Sequence, residues 1–179
     1  GDGQDFGDLS VARYGVSGLG SSTRALALGG AEGIQGDRSN HIDYKAIASL
    51  GDFVDFGDLN VQRRAMSAAS NSTRGVVSGS LQASANINSI EYVTIATLGD
   101  GQDFGDLVNP SNNGAGAAGE TRALLVRGNS SGTSNSSTSD IEYITIASLS
   151  NSLDFGDLSV AREAFLGQSI ASNHGGLQT

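Results

Sequence analysis

The sequence predicts an all-β fold made of repeated four-stranded antiparallel sheets, and three observations carry that expectation. The pentapeptide Asp-Phe-Gly-Asp-Leu begins at Asp5, Asp55, Asp103 and Asp154, at intervals of 50, 48 and 51 residues. Nineteen residues after the first Asp of three copies come Arg24, Arg74 and Arg122, each preceded by threonine. Further along stand Ile42-Asp43-Tyr44, Ile90-Glu91-Tyr92 and Ile141-Glu142-Tyr143. A fixed period of this length marks stacked or radial modules. Between the motifs, Gly, Ser, Asn and Thr separate short apolar runs, the pattern of many short strands joined by turns.

Each repeat reads as four strands. The first, at residues 14–20, 65–70 and 114–118, is small and weakly apolar, as suits strands crowding a common axis. The second is Ala25-Leu26-Ala27-Leu28, Gly75-Val76-Val77-Ser78 or Ala123-Leu124-Leu125-Val126. These runs lack clean alternation, which fits a strand buried on both faces. The third carries the Ile-acid-Tyr triplet and continues to Ile47, Ile95 or Ile146. On it Ile90 and Tyr92 point one way while Val93 and Ile95 point the other. The fourth is centred on Phe56 and Leu59, Phe104 and Leu107, or Phe155 and Leu158, and Phe6, Phe56, Phe104 and Phe155 are expected to be buried between blades. Four short strands per 50-residue repeat, with sheets covered on both faces, describe a β-propeller blade.

First-to-second and third-to-fourth turns are short, whereas second-to-third loops (Ala31–Asn40, Leu81–Ser89 and Asn129–Ser139) are long and unlike each other. A four-stranded meander sends these loops to one face, where a rigid scaffold concentrates binding. The chain is expected to be one domain over residues 1–179, with about three and a half to four blades. It begins at Gly1, without Met, inside a repeat. The blades are expected either to close as a four-bladed ring completed by an Asp5–Leu9 strand or, the favoured reading, to be consecutive blades of a larger propeller.

Composition narrows the partners. The formal net charge is -9, and eight of the fourteen aspartates lie inside the pentapeptides. Nucleic acid, which needs a basic stripe, is excluded as the expected partner. The absence of cysteine excludes a disulfide framework and a thiolate zinc site. No apolar stretch of 18 residues exists, so no membrane-spanning helix is expected.

These residues resemble kelch repeats. Arg13, Arg63 and Arg162 fit the arginine before the first strand, Gly29-Gly30 the diglycine after the second, and Tyr44, Tyr92 and Tyr143 the tyrosine of the third. Phe56, Phe104 and Phe155 stand where the family has tryptophan. The later units keep one glycine each, Gly79 and Gly128, and the third has Ser111 in place of the arginine. The whole set is similar to a kelch-like repeat of uncharacterised marine phage and bacterial proteins. That resemblance implies an appendage component such as a tail fibre, or a surface protein, in a virion or extracellular setting.

The repeated residues invite chemistry and favour packing instead. Asp2, Asp5 and Asp8 are spaced by three, as are Asp52, Asp55 and Asp58, and Asp100, Asp103 and Asp106. Calcium needs six to eight oxygens, and Asn151 interrupts the fourth copy. The first pentapeptide Asp is expected to cap a turn, and the second to pair with a repeat arginine. Arg24, Arg74 and Arg122 are expected to bond within the protein rather than converge on an anion. His41 and His174 lack metal-ligand or triad spacing. No residue is assigned a catalytic, cofactor or metal role. The expectation is a non-enzymatic structural or recognition module whose partners are other copies or blades, or a cell-surface glycan or protein. A glycan-binding lectin or glycan-active enzyme is the alternative.

Overall fold

The computed structural model describes residues 2–33, 36–81, 85–130 and 136–162, with the backbone of Ser169–Ala171. The described residues are all-β. Strands are numbered in chain order. The first sheet runs β2 (Ser17–Gly20), β3 (Arg24–Leu28), β6 (His41–Ala46), β7 (Val54–Asp58). The second runs β8 (Ser67–Ser70), β9 (Arg74–Leu81), β10 (Asn86–Thr94), β11 (Gln102–Ser111). The third runs β12 (Ala115–Ala118), β13 (Arg122–Val126), β14 (Thr138–Thr145), β15 (Leu153–Arg162), and β16 (Ser169–Ala171) joins it parallel to β12. All pairings within the three four-stranded meanders are antiparallel. A small fourth sheet joins β1 (Arg13–Tyr14), β4 (Ala31–Glu32) and β5 (Asp37–Arg38).

The expected strands therefore form, and their small first members meet. β2 lies against β8, β8 against β12, and β16 beside β2, β8 and β12. Two apolar layers separate the meanders. Between the first and second lie Leu26, Ile42, Phe56 and Leu59 against Met66, Val77, Val93 and Ile95. Between the second and third lie Val76, Ile90, Phe104 and Leu107 against Ala123, Leu125, Ile144 and Ile146. Neighbouring residues of β9 and β10 thus feed opposite layers, which explains their unbroken apolar runs.

The recurrence of Asp-Phe-Gly has a geometric cause. Ile42 pairs with Gly57 and Asp43 with Asp55, leaving Phe56 as an extra residue. The same slip leaves Phe104 extra between Gly105 and Asp103, and Phe155 extra between Gly156 and Asp154. In these three copies the pentapeptide carries a β-bulge, which bends the strand and re-aims a side chain. The glycine beside it has φ of 145° at Gly57 and 143° at Gly105. A Cβ on Gly57 would lie 2.6 Å from Gly99 O of the next sheet, so any larger residue would push the sheets apart.

Burial of all four phenylalanines holds for Phe56 and Phe104, at 3% and 2% exposure. It fails for Phe6 at 37% and Phe155 at 52%. Phe56 and Phe104 each have a meander on both sides; Phe155 faces out from the third sheet. The Asp5–Leu9 segment is not a regular strand, although Phe6 and Asp8 accept hydrogen bonds from Gly51 N and Phe53 N at 2.9 and 2.8 Å.

Candidate functional site

The repeat arginines are placed by β3, β9 and β13, one per sheet, and do not converge. Each guanidinium stacks on the tyrosine of its own third strand, 4.9 Å over Tyr44 for Arg24, 4.6 Å over Tyr92 for Arg74 and 4.9 Å over Tyr143 for Arg122. Each tyrosine then meets its sheet's phenylalanine edge-on, at 5.8, 6.0 and 6.1 Å. Arg24 and Arg74 also reach across, donating to Ile95 O and Ile146 O at 2.9 Å. These contacts lock one sheet to the next. Among the described residues, Arg122 donates to no carbonyl.

A second set of arginines is buried. Arg13 pairs with Asp43 at 2.9 Å, and Arg63 with Glu91. In the third sheet Arg127 takes this place, beside Asp140 and Glu142. The acid of each Ile-acid-Tyr triplet is buried, and also accepts from the segment after the preceding pentapeptide: Ser10 N to Asp43, Asn60 N to Glu91, Val108 N to Glu142. Burial lowers the pKa of the Arg63 guanidinium, with the Glu91 charge and hydrogen bond opposing the shift. Arg127 is lowered for the same reason, opposed by Glu142. These buried ion pairs hold the sheets' flanks in place.

The expected partnership between the second pentapeptide Asp and a repeat arginine is corrected by these pairs. The third-strand acid reaches the arginine because it points into the sheet's buried flank, whereas Asp58 lies 3.4 Å from His41 Nδ1 and Asp157 accepts from Ser139 Oγ at 2.9 Å. Turn capping by the first Asp is present at both ends, with Asp5 accepting from Gly7 N at 3.1 Å and Asp154 from Gly156 N at 3.0 Å. The preceding aspartates bridge sheets: Asp52, Asp100 and Asn151 accept from Asp8 N, Asp58 N and Asp106 N at 3.1, 3.0 and 3.0 Å. A neutral amide does this as well as a carboxylate, which accounts for Asn151. Among the described residues, no group of three or more His, Cys, Asp and Glu is arranged to hold a metal ion.

The unlike loops are gathered at one end of the meanders. The first folds into β4 and β5 against β1. Arg38 in it donates to Leu81 O of the second loop, and Asn86 of the second donates to Asn129 O of the third at 2.8 Å. Tyr14, 50% exposed, takes a hydrogen bond from Arg64 at 3.1 Å on the same end. His41 sits near Glu32 and Asp58, while His174 lies outside the described residues, as do parts of all three loops. This polar end is the candidate recognition surface.

Among the grooves of the described residues, two border the third sheet. One of about 260 Å³ is acidic, lined by Asp140, Glu142, Asp154 and Asp157 with Val108 and Asn109. The other, of about 380 Å³, is mainly apolar and lies on the outer face of the third sheet, lined by Ala117, Ala118, Arg122, Leu124 and Phe155 among others. Sequence reasoning missed Arg127 as a structural cation. The signal was present as a pair of departures, Ser111 for arginine and Arg127 for the glycine of Gly29 and Gly79. No family model matches this chain, and no curated protein matches it.

Proposed function

We propose that this chain is a run of kelch-like β-propeller blades serving as a non-enzymatic structural and recognition module, of the kind carried by a phage appendage or an extracellular surface protein. The observation that carries this reading is where the repeated polar residues are used. Among the described residues, the arginines, tyrosines and third-strand acids bind one another or the next sheet, so these repeated groups serve packing rather than a single reactive centre. What differs between repeats is the loop end, and loops on a rigid scaffold carry recognition. The partner is a glycan or protein at a cell surface, met by the Tyr14, Glu32 and Arg38 side of that end.

The test compares the two ends of the meanders. Tyr14→Ala and Glu32→Ala alter the loop end; Leu50→Ser and Leu98→Ser alter exposed residues at the opposite turns. Binding is read on a glycan array and on intact cells, with thermal melts as the control for folding. Loss confined to the loop-end variants, with melts unchanged, is the expected result. Loss confined to the opposite turns, or turnover of an arrayed glycan, would overturn the reading.

A further inference from the structure

We infer that the outer face of the third sheet is a docking site for the second and third strands of another repeat of this kind, on polypeptide other than these 179 residues. The inference rests on the blade reading above but uses a different surface from the loop end. Among the described residues, the third sheet repeats the outer face of the first two without a further sheet covering it. Leu26 and Val76, Ile42 and Ile90, Phe56 and Phe104 are all buried there. Their third-sheet counterparts, Leu124, Ile141 and Phe155, are partly or largely exposed. The groove beside Arg122, Leu124 and Phe155 is the space that the next sheet fills in the earlier repeats.

Two cations specify the occupant. Arg122 stacks on Tyr143 as Arg24 and Arg74 stack on their tyrosines, yet it lacks the carbonyl that Ile95 or Ile146 supplies to them. Arg162 stands eight residues after Asp154, as Arg13 and Arg63 stand after Asp5 and Asp55. Those two are buried against Asp43 and Glu91, whereas Arg162 is exposed. The two missing partners belong to one strand: a carboxylate for Arg162, and four residues later an isoleucine carbonyl for Arg122. Glu91 and Ile95 have that spacing, as do Glu142 and Ile146. The apolar side chains on that strand, equivalent to Val93 and Ile95, would cover Phe155. β16, running beside β12, already occupies the innermost position of such a sheet.

The probe is a labelled peptide with the sequence of residues 73–98, offered in trans and also fused to the chain's C-terminus through a flexible linker. Fusion raises its effective concentration to the millimolar range, so weak hairpin formation does not hide docking. The expected result is saturable binding in trans, or slowed hydrogen exchange over residues 153–158 in the fusion. Arg122→Gln and Arg162→Gln should each weaken it about tenfold, the loss of one charge-assisted hydrogen bond. Pairing Arg162→Glu with the peptide carrying Glu91→Arg should restore binding, whereas Tyr14→Ala should leave it unchanged. Absence of both binding and protection, or indifference to both arginine variants, would overturn the inference. Self-association of the chain that is abolished by Arg122→Gln would assign the face to a second copy and overturn it equally. Failure here with loop-end binding intact would leave the recognition reading standing.

Discussion

Arg127 and Glu142 form an ion pair, Nε to Oε1 3.6 Å, with side chains 4% and 3% exposed. In the second sheet the same acid position, Glu91, is paired with Arg63 from the start of the repeat. The third repeat has Ser111 at that point and has moved its cation to the end of β13, where the earlier repeats have Gly29 and Gly79. The guanidinium has changed its attachment to the chain while keeping its carboxylate.

Removing that cation should be costly and reparable. Arg127→Ala leaves Glu142 buried without its counter-ion and should lower stability by about 3–5 kcal/mol in urea unfolding. Installing the arrangement of the earlier repeats, Arg127→Gly with Ser111→Arg, should recover more than half of the loss. Equal instability of the single and double variants would show that the two positions are not alternatives.

The phenylalanines should separate by position. Phe56→Ala and Phe104→Ala empty space in the layers between sheets and should cost about 3–5 kcal/mol. Phe155→Ala, at a site 52% exposed, should cost about 1 kcal/mol or less. Chemical denaturation of the three variants side by side measures the contrast.

Backbone strain and inter-sheet contact can be told apart at two glycines of the same motif. Gly57 and Gly156 have φ of 145° and 133°, but an added Cβ meets Gly99 O at 2.6 Å in the first case and nothing within 4 Å in the second. Gly156→Ala should show the conformational cost alone, about 1–3 kcal/mol. Gly57→Ala should exceed it, because the neighbouring sheet must also shift. Matching costs in a urea melt would remove close packing as the reason for the glycine.

The bridging carboxylates should tolerate neutralisation. Asp100→Asn keeps the acceptor for Asp58 N and should change the melting temperature little, whereas Asp100→Leu removes it at about 0.5–2 kcal/mol. Millimolar calcium should leave both melts where chelator leaves them. A calcium-dependent rise lost in Asp100→Asn would instead make these aspartates ligands.

Periodicity in the sequence was enough to determine the strands, their order within each meander and the opposed faces of the third strand, because these follow from local spacing. It also marked Arg24 and Arg74 as residues bonded within the protein, whereas Arg122 stacks on Tyr143 but stands exposed, with no carbonyl partner among the described residues. Which acid meets which arginine was decided only by tertiary structure. The bulge at Phe56, Phe104 and Phe155 shifts the ladder by one residue, and the third-strand acid, not the pentapeptide Asp, ends up on the buried flank. Exposure was likewise beyond local reading. Phe104 and Phe155 sit in two copies of the same pentapeptide, and one is buried while the other is open because burial depends on whether a further sheet lies alongside, which a repeat cannot encode within itself.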